Sequence, residues 1–152
     1  MEKDLLDKLP PDIKKEFMKY AIKLGEKKKQ TKVHDDFLSF VKHVWPEFIE
    51  GKHHKEIADK FNKLAKGEIK RLIINMPPRH TKSEFGSFLL PAWMVGRRPN
   101  LKIIQSTHTT ELAIRFGRKA KTLMDSPEYK EIFKTRLRED SQAAGKWETE
   151  QG

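Results

Sequence analysis

A chain of 152 residues, 36% of them hydrophobic and 36% charged, is long enough for one domain with a real core, but it holds no run near the about 18 consecutive apolar residues of a membrane span. Its 32 Lys and Arg against 22 Asp and Glu, a formal net charge of +10, point to polyanionic partners, nucleic acid before an anionic membrane surface, and also serve plain solubility. Without cysteine, disulfide scaffolding, thiolate catalysis and Cys-ligated zinc are excluded, as befits a reducing cytoplasm.

The opening Met1-Glu2-Lys3-Asp4-Leu5-Leu6-Asp7-Lys8 is too acidic and polar for a signal peptide, so a soluble intracellular protein is expected. Ile13, Phe17, Tyr20, Ala21 and Leu24 recur at helical spacing among lysines and predict a helix over 10–29. Pro10-Pro11-Asp12 opens it, and Gly25 with Lys27-Lys28-Lys29 closes it. Phe37, Phe40, Val41 and Val44 predict a second amphipathic helix over 33–44. Trp45-Pro46 ends it, because a residue before proline is pushed out of the helical region. After a turn at Gly51, the stripe Ile57, Phe61 and Leu64 predicts a third helix over 53–66, capped by Gly67.

Arg71-Leu72-Ile73-Ile74-Asn75 is continuous in its apolar residues and reads as a buried strand. A loop over 76–81 follows, then a helix over 82–95 that Pro91 should kink or shorten. Beyond the turn Arg97-Arg98-Pro99-Asn100, residues 101–107 read as a second strand and 109–124 as a further helix. After Asp125-Ser126-Pro127 the chain reads as irregular, and it is strongly polar over 135–152. Strand, loop, helix, strand, helix is the order of a βαβ unit with a parallel sheet and a right-handed crossover. Ligands in such sheets sit beyond the C-terminal strand ends, which would bring 76–83 and Ser106-Thr107-His108 to one face. The expected fold class is thus α/β, a partial P-loop NTPase-like three-layer sheet over 69–152, preceded by an α-helical N-terminal region over 1–68.

The chemistry is concentrated in Met76-Pro77-Pro78-Arg79-His80-Thr81-Lys82-Ser83. Backbone N–H groups and a helix N-terminus facing an anion hold nucleotide phosphates. The Lys82 ammonium can reach the β- and γ-phosphates of ATP, and the Ser83 hydroxyl can ligate Mg²⁺. The two glycine positions of G-x-x-x-x-G-K-[ST] hold Met76 and Thr81, so context carries the assignment. Pro77 and Pro78 remove two donors and leave the cradle to the N–H groups from Arg79 through Ser83. Thr81 in place of glycine predicts a loop that avoids positive φ there. The candidate ATP-binding residues are Pro78, Arg79, His80, Thr81, Lys82 and Ser83. Arg79 either offsets transition-state charge at the γ-phosphate or makes a simple phosphate or surface contact; His80 either caps the loop or touches the ligand. His53-His54-Lys55-Glu56 is not read as a metal site, since adjacent helical histidines face different ways and no His-x-x-x-His pair or carboxylate cluster accompanies them.

From about residue 37 onward, the chain resembles the ATPase part of the large terminase subunit of tailed bacteriophages, the motor that packages DNA into the prohead. The resemblance rests on the run from Arg71 through Met76-Pro77-Pro78-Arg79-His80-Thr81-Lys82-Ser83-Glu84. It is supported by Pro91-Ala92-Trp93, Arg98-Pro99, Gln105-Ser106-Thr107-His108 followed by Glu111-Leu112-Ala113, and Trp147-Glu148-Thr149. Family members more often carry Gly where Thr81 stands. The resemblance implies ATP and Mg²⁺ as cofactors, Lys82 and Arg79 as catalytic residues, and Ser83 on the Mg²⁺. It implies double-stranded DNA as partner, a homo-oligomeric ring with the portal and the small terminase subunit, and the host cytoplasm as location. The segment Phe48-Ile49-Glu50-Gly51-Lys52-His53-His54 is similar to the family's region that helps hold the adenine end.

Phosphoryl transfer also needs an acid at the end of a second apolar strand, to hold Mg²⁺ and orient water. Thr122-Leu123-Met124-Asp125 comes nearest but falls on a predicted helix. In the resembling family that strand follows the Trp-x-Thr segment, and a nuclease domain lies further on. The resemblance therefore implies the ATP-binding piece of a larger motor, which binds ATP without hydrolysing it efficiently. Two other readings fit the residues: a helicase-like nucleic-acid translocase, and a non-enzymatic basic module for nucleic-acid binding or assembly.

Overall fold

The computed structural model describes residues 10–143 and 145–152; the signal-peptide reading of 1–8 lies outside them. Helix α1 (Pro11–Asp35) begins with Pro11, whose missing N–H is not needed in a first turn. It runs six residues past its expected end. Gly25 sits inside it, because one glycine costs only about 1 kcal/mol against the strong helix formers around it. Most of α1 is exposed, including Ile13, Phe17, Tyr20 and Leu24, and only Val33 is buried.

The chain breaks at Asp36, which has extended backbone and caps α2 (Phe37–Val44). Its Oδ2 accepts from the Ser39 N–H at 2.8 Å. Asn62, on α3 (Lys52–Lys66), donates from Nδ2 to Asp36 Oδ1 at 2.8 Å and accepts the Phe37 N–H at 2.9 Å. One amide thus ties α3 to the start of α2. Burial pushes the Asp36 carboxyl up, but the Ser39 and Asn62 hydrogen bonds, helped by the Lys32 charge, outweigh it and hold it below its ordinary value. A depressed carboxylate stabilises the fold fully above its unfolded pKa, about 4, and this is lost as pH falls through the lower folded value. Asp36→Ala is expected to lose about 1–3 kcal/mol at pH 7, from the missing cap and the unpaired Asn62 amide. Urea unfolding should show that gap narrowing in acid; an equal gap at pH 7 and pH 3 would contradict it.

Trp45 leaves the helix as its following proline requires, and Gly67 caps α3 at φ 81°. The loop then feeds one helical run in three parts: α4 (Lys82–Glu84), a π-turn (Phe85–Leu89) and α5 (Leu90–Arg97). Pro91 has no N–H, and its ring would collide with the carbonyl four residues back. The widened turn, closed by the Leu90 N–H on the Phe85 carbonyl, absorbs that conflict, and Pro91 enters at the start of α5. Helix α6 (Thr110–Asp125) is capped by Thr109 and α7 (Pro127–Ile132) by Ser126. Strands β1 (Leu137–Gln142) and β2 (Trp147–Thr149) pair antiparallel, Leu137 opposite Thr149 and Gln142 opposite Trp147.

The core draws on both sides of residue 68. Phe37 is at its centre, its ring edge-on to Phe61, Phe85 and Trp93 at centroid distances of 5.0, 5.4 and 5.5 Å. Trp93 is fully buried and donates its indole N–H to the His34 carbonyl at 3.0 Å.

The expected α/β architecture, a P-loop NTPase-like three-layer sheet, is overturned. The described residues are mostly helical, and their one sheet is the two-stranded antiparallel pair. Residues 71–77 and 101–107 take no regular secondary structure, and no ladder joins them to each other or to β1 and β2. The first segment is not buried on both faces: Leu72, Ile74 and Met76 lie on the core, while Ile73 is 86% exposed. In the second, Ile104 is 96% exposed. A parallel strand needs neighbours and two covered faces, and these segments have neither. The region after 125, expected to be irregular, holds α7 and the sheet instead. Among the described residues, no helix is long and apolar enough to cross a membrane.

Candidate phosphate-binding loop

The backbone of the loop is unusual at two places. Arg79 has φ 66° and Thr81 has φ 59°, which overturns the expectation that Thr81 avoids positive φ. For a side chain other than glycine, the left-handed region costs roughly 1–2 kcal/mol per residue. Hydrogen bonds hold Thr81 there. Its hydroxyl donates to the His80 carbonyl at 2.6 Å, and its oxygen lies 2.6 Å from His54 Nε2. On the other side of that ring, Nδ1 accepts the Gly51 N–H at 2.9 Å. An amide N–H can only donate, so the imidazole proton sits on Nε2 and points at Thr81.

Thr81 in the left-handed conformation leads directly into the helical Lys82. That succession turns consecutive N–H groups to one side, as in anion-binding nests. The first hydrogen bond of the run is made by the Phe85 N–H on the Thr81 carbonyl. The N–H groups of Lys82, Ser83 and Glu84 therefore have no acceptor within the helix. Lys82 and Ser83 are exposed. The Lys82 ammonium reaches back to the Met76 carbonyl over 3.5 Å, a long contact that a phosphate oxygen would displace. Arg79 is exposed at the tip. His80 turns its Nδ1 onto the Pro78 carbonyl at 2.9 Å, a contact within the loop. Glu84 is not free to serve a metal, being paired with Lys119 of α6 at 2.7 and 2.9 Å.

His54 is 6% exposed, its ring 4.8 Å from Phe48 and 5.1 Å from Phe85. Burial, with smaller pushes from His53 and His80, takes its pKa below the ordinary histidine value; only Glu50 pulls it up. The expectation that His53 and His54 face apart is also overturned: their rings are 3.8 Å apart, and His53 stands 5.7 Å from His80. A side chain at Gly51 would lie 2.9 Å from His53 Cε1, so glycine is what lets these rings close over the turn. Among the described residues, no group of His, Cys, Asp and Glu is arranged to hold a metal ion. Hydrogen bonds from Lys42 and Lys55 hold the Glu50 carboxyl down to about 2 and moor the segment to α2 and α3.

Segment 48–54 and the loop are thus in contact through His54. The hydrogen bonds of 106–108 do not reach the loop; Thr107 bonds to the Thr109 carbonyl at the entry to α6. Asp125 ends α6 and pairs with Lys130, so it supplies no acid to the loop. The loop is an open rim: a cleft of about 530 Å³ among Pro91, Leu101, Ile103, Ile114 and Trp147 lies elsewhere. His54 and Gly51, expected only as part of the 48–54 segment at the adenine end, are the residues that support Thr81 of the loop. The only local signal was a glycine three residues before a histidine at a helix start. The chain matches no family model, no curated protein and no solved structure.

Proposed function

We propose that residues 78–83 grip the triphosphate of ATP with Mg²⁺, and that the chain is the nucleotide-binding part of a DNA-packaging motor of the large-terminase kind. In that reading it acts on double-stranded DNA in the host cytoplasm, within a homo-oligomeric ring that engages the portal and the small terminase subunit. The observation that carries the reading is the left-handed Thr81 set directly before Lys82 and Ser83. It gathers acceptor-free N–H groups, an exposed ammonium and an exposed hydroxyl at one helix start. In this reading Arg79, exposed at the tip, meets the outermost phosphate, and the net charge of +10 suits a polyanionic track. No carboxylate of the loop is free to complete a Mg²⁺ shell, which supports binding without efficient turnover by this chain.

Calorimetric titration with a non-hydrolysable ATP analogue tests the reading. Saturable binding that weakens when Mg²⁺ is withdrawn is expected. A folded protein that gives no saturable heat would overturn it. A second reading, a non-enzymatic basic nucleic-acid module, is favoured by the exposed lysines of α1. It calls for salt-dependent DNA binding that nucleotide leaves unchanged.

A further inference from the structure

We infer that His54 is the positioning residue of the phosphate loop: its Nε2–H holds the Thr81 hydroxyl and so keeps Thr81 in the left-handed conformation that glycine adopts unaided. The inference rests on the reading of 78–83 as the phosphate site. Four groups from two distant parts of the chain form one directed series. The Gly51 N–H donates to His54 Nδ1, Nε2–H donates to Thr81 Oγ1, and that hydroxyl donates to the His80 carbonyl. Every donor in the series has one acceptor, so the direction cannot reverse without breaking a bond. The ring is held between Phe48 and Phe85 and has little freedom left to lose. Without this bond the threonine has every steric reason to relax to negative φ. The N–H groups that follow would then turn away from the anion.

The same geometry makes the clasp sensitive to acid. A proton on Nδ1 would oppose the Gly51 N–H donor to donor, so the bond that holds the ring in its clasping position is made only by a neutral imidazole. The charged or titratable groups facing the ring are His53 on its own helix, Glu50 before it and His80 in the loop; Phe48 and Phe85 bring no charge. Because the folded pKa is lowered, the clasp is intact at neutral pH and is lost as pH falls below the ordinary histidine range.

Binding of a non-hydrolysable ATP analogue with Mg²⁺ is compared in wild type, H54A, H54Q and the double variant H54A/T81G. H54A is expected to bind about tenfold more weakly, the fold-change that corresponds to releasing a left-handed residue. In H54Q the side-chain amide keeps a donor where Nε2 stood and cannot titrate. It should stay within about threefold of wild type and lose the acid-dependent weakening, judged against wild type over one pH series so that titration of the nucleotide cancels. Glycine needs no clasp at 81, so H54A/T81G should recover wild-type affinity within about threefold. H54A binding as tightly as wild type, or a double variant as weak as H54A, overturns the inference. If wild type binds no nucleotide, the phosphate reading fails while the clasp is still decided by ¹⁵N NMR. A His54 proton on Nε2, with Thr81 and Lys82 amides displaced in H54A, upholds it, and a proton on Nδ1 or unmoved amides overturns it.

Discussion

Lys82→Ala is expected to remove measurable ATP binding while leaving the fold as stable as wild type. A charge-assisted hydrogen bond to phosphate contributes about 1.5–3 kcal/mol, and an ammonium bridging two phosphates makes more than one. The loss should therefore be on the order of 100-fold or greater in Kd. The stability half of the expectation follows from exposure. Lys82 projects from the surface, and its one contact is the 3.5 Å reach to Met76. Substitutions at such positions fall within about 0.5 kcal/mol of neutral. Lys82→Arg should not substitute for it, because a planar fork differs from a compact point charge on a flexible stem. Ser83→Ala should separate the roles, retaining part of the affinity but losing its dependence on Mg²⁺. Unchanged nucleotide affinity of Lys82→Ala in a calorimetric titration would sink the phosphate reading, since Lys82 is the cation that stands in the first turn of the helix.

Where local chemistry decides structure, the chain was legible. Gly67 stops α3 in the left-handed conformation because it has no Cβ, and Trp45 leaves α2 because a proline follows. Helix α6 lies within one residue of its predicted bounds. The failures are tertiary. The run at 72–74 has the composition of a buried strand, but pairing belongs to two segments at once, and it takes part in no ladder. The sheet that does form is built from a polar stretch: Arg138 meets Asp140 and Glu148, each at 2.9 Å. Charge pairing, not apolar alternation, marks it, and periodicity does not detect that. At the site, Lys82 and Ser83 at a helix start were readable from the motif. The φ of Thr81 was not, because it is set by a histidine 27 residues away.

Gly96→Ala is expected to be strongly destabilising. A Cβ at this buried position would lie 2.5 Å from Tyr129 Oη and 2.6 and 2.7 Å from Phe133 Cγ and Cδ2. Overpacking is mild where the neighbour is the free end of a flexible side chain. Neither neighbour here is of that kind. Tyr129 is fully buried, and its hydroxyl donates to the Ala92 carbonyl at 2.7 Å. Phe133 packs at 4.8 Å on Tyr129 and at 5.8 Å on Phe40. Moreover the Gly96 carbonyl accepts the buried Thr135 hydroxyl at 3.2 Å, so retreat of α5 from α7 would strand that group as well. The cost should reach about 3 kcal/mol, near the top of the usual overpacking range. For a chain of this size that lowers Tm by about 6–12 °C. Gly25→Ala is the matched control: nothing lies within 4 Å of its added methyl, and alanine inside α1 should stabilise by about 0.5–1 kcal/mol. Tyr129→Phe in the Gly96→Ala background separates the two clashes. Deleting the hydroxyl removes the contact at Oη but leaves the one at Phe133, so calorimetry should show partial recovery at most. Full recovery would place all of the strain on the hydroxyl, and a Gly96→Ala protein as stable as wild type would mean that α5 and α7 are not held together as closely as Tyr129 and Phe133 require.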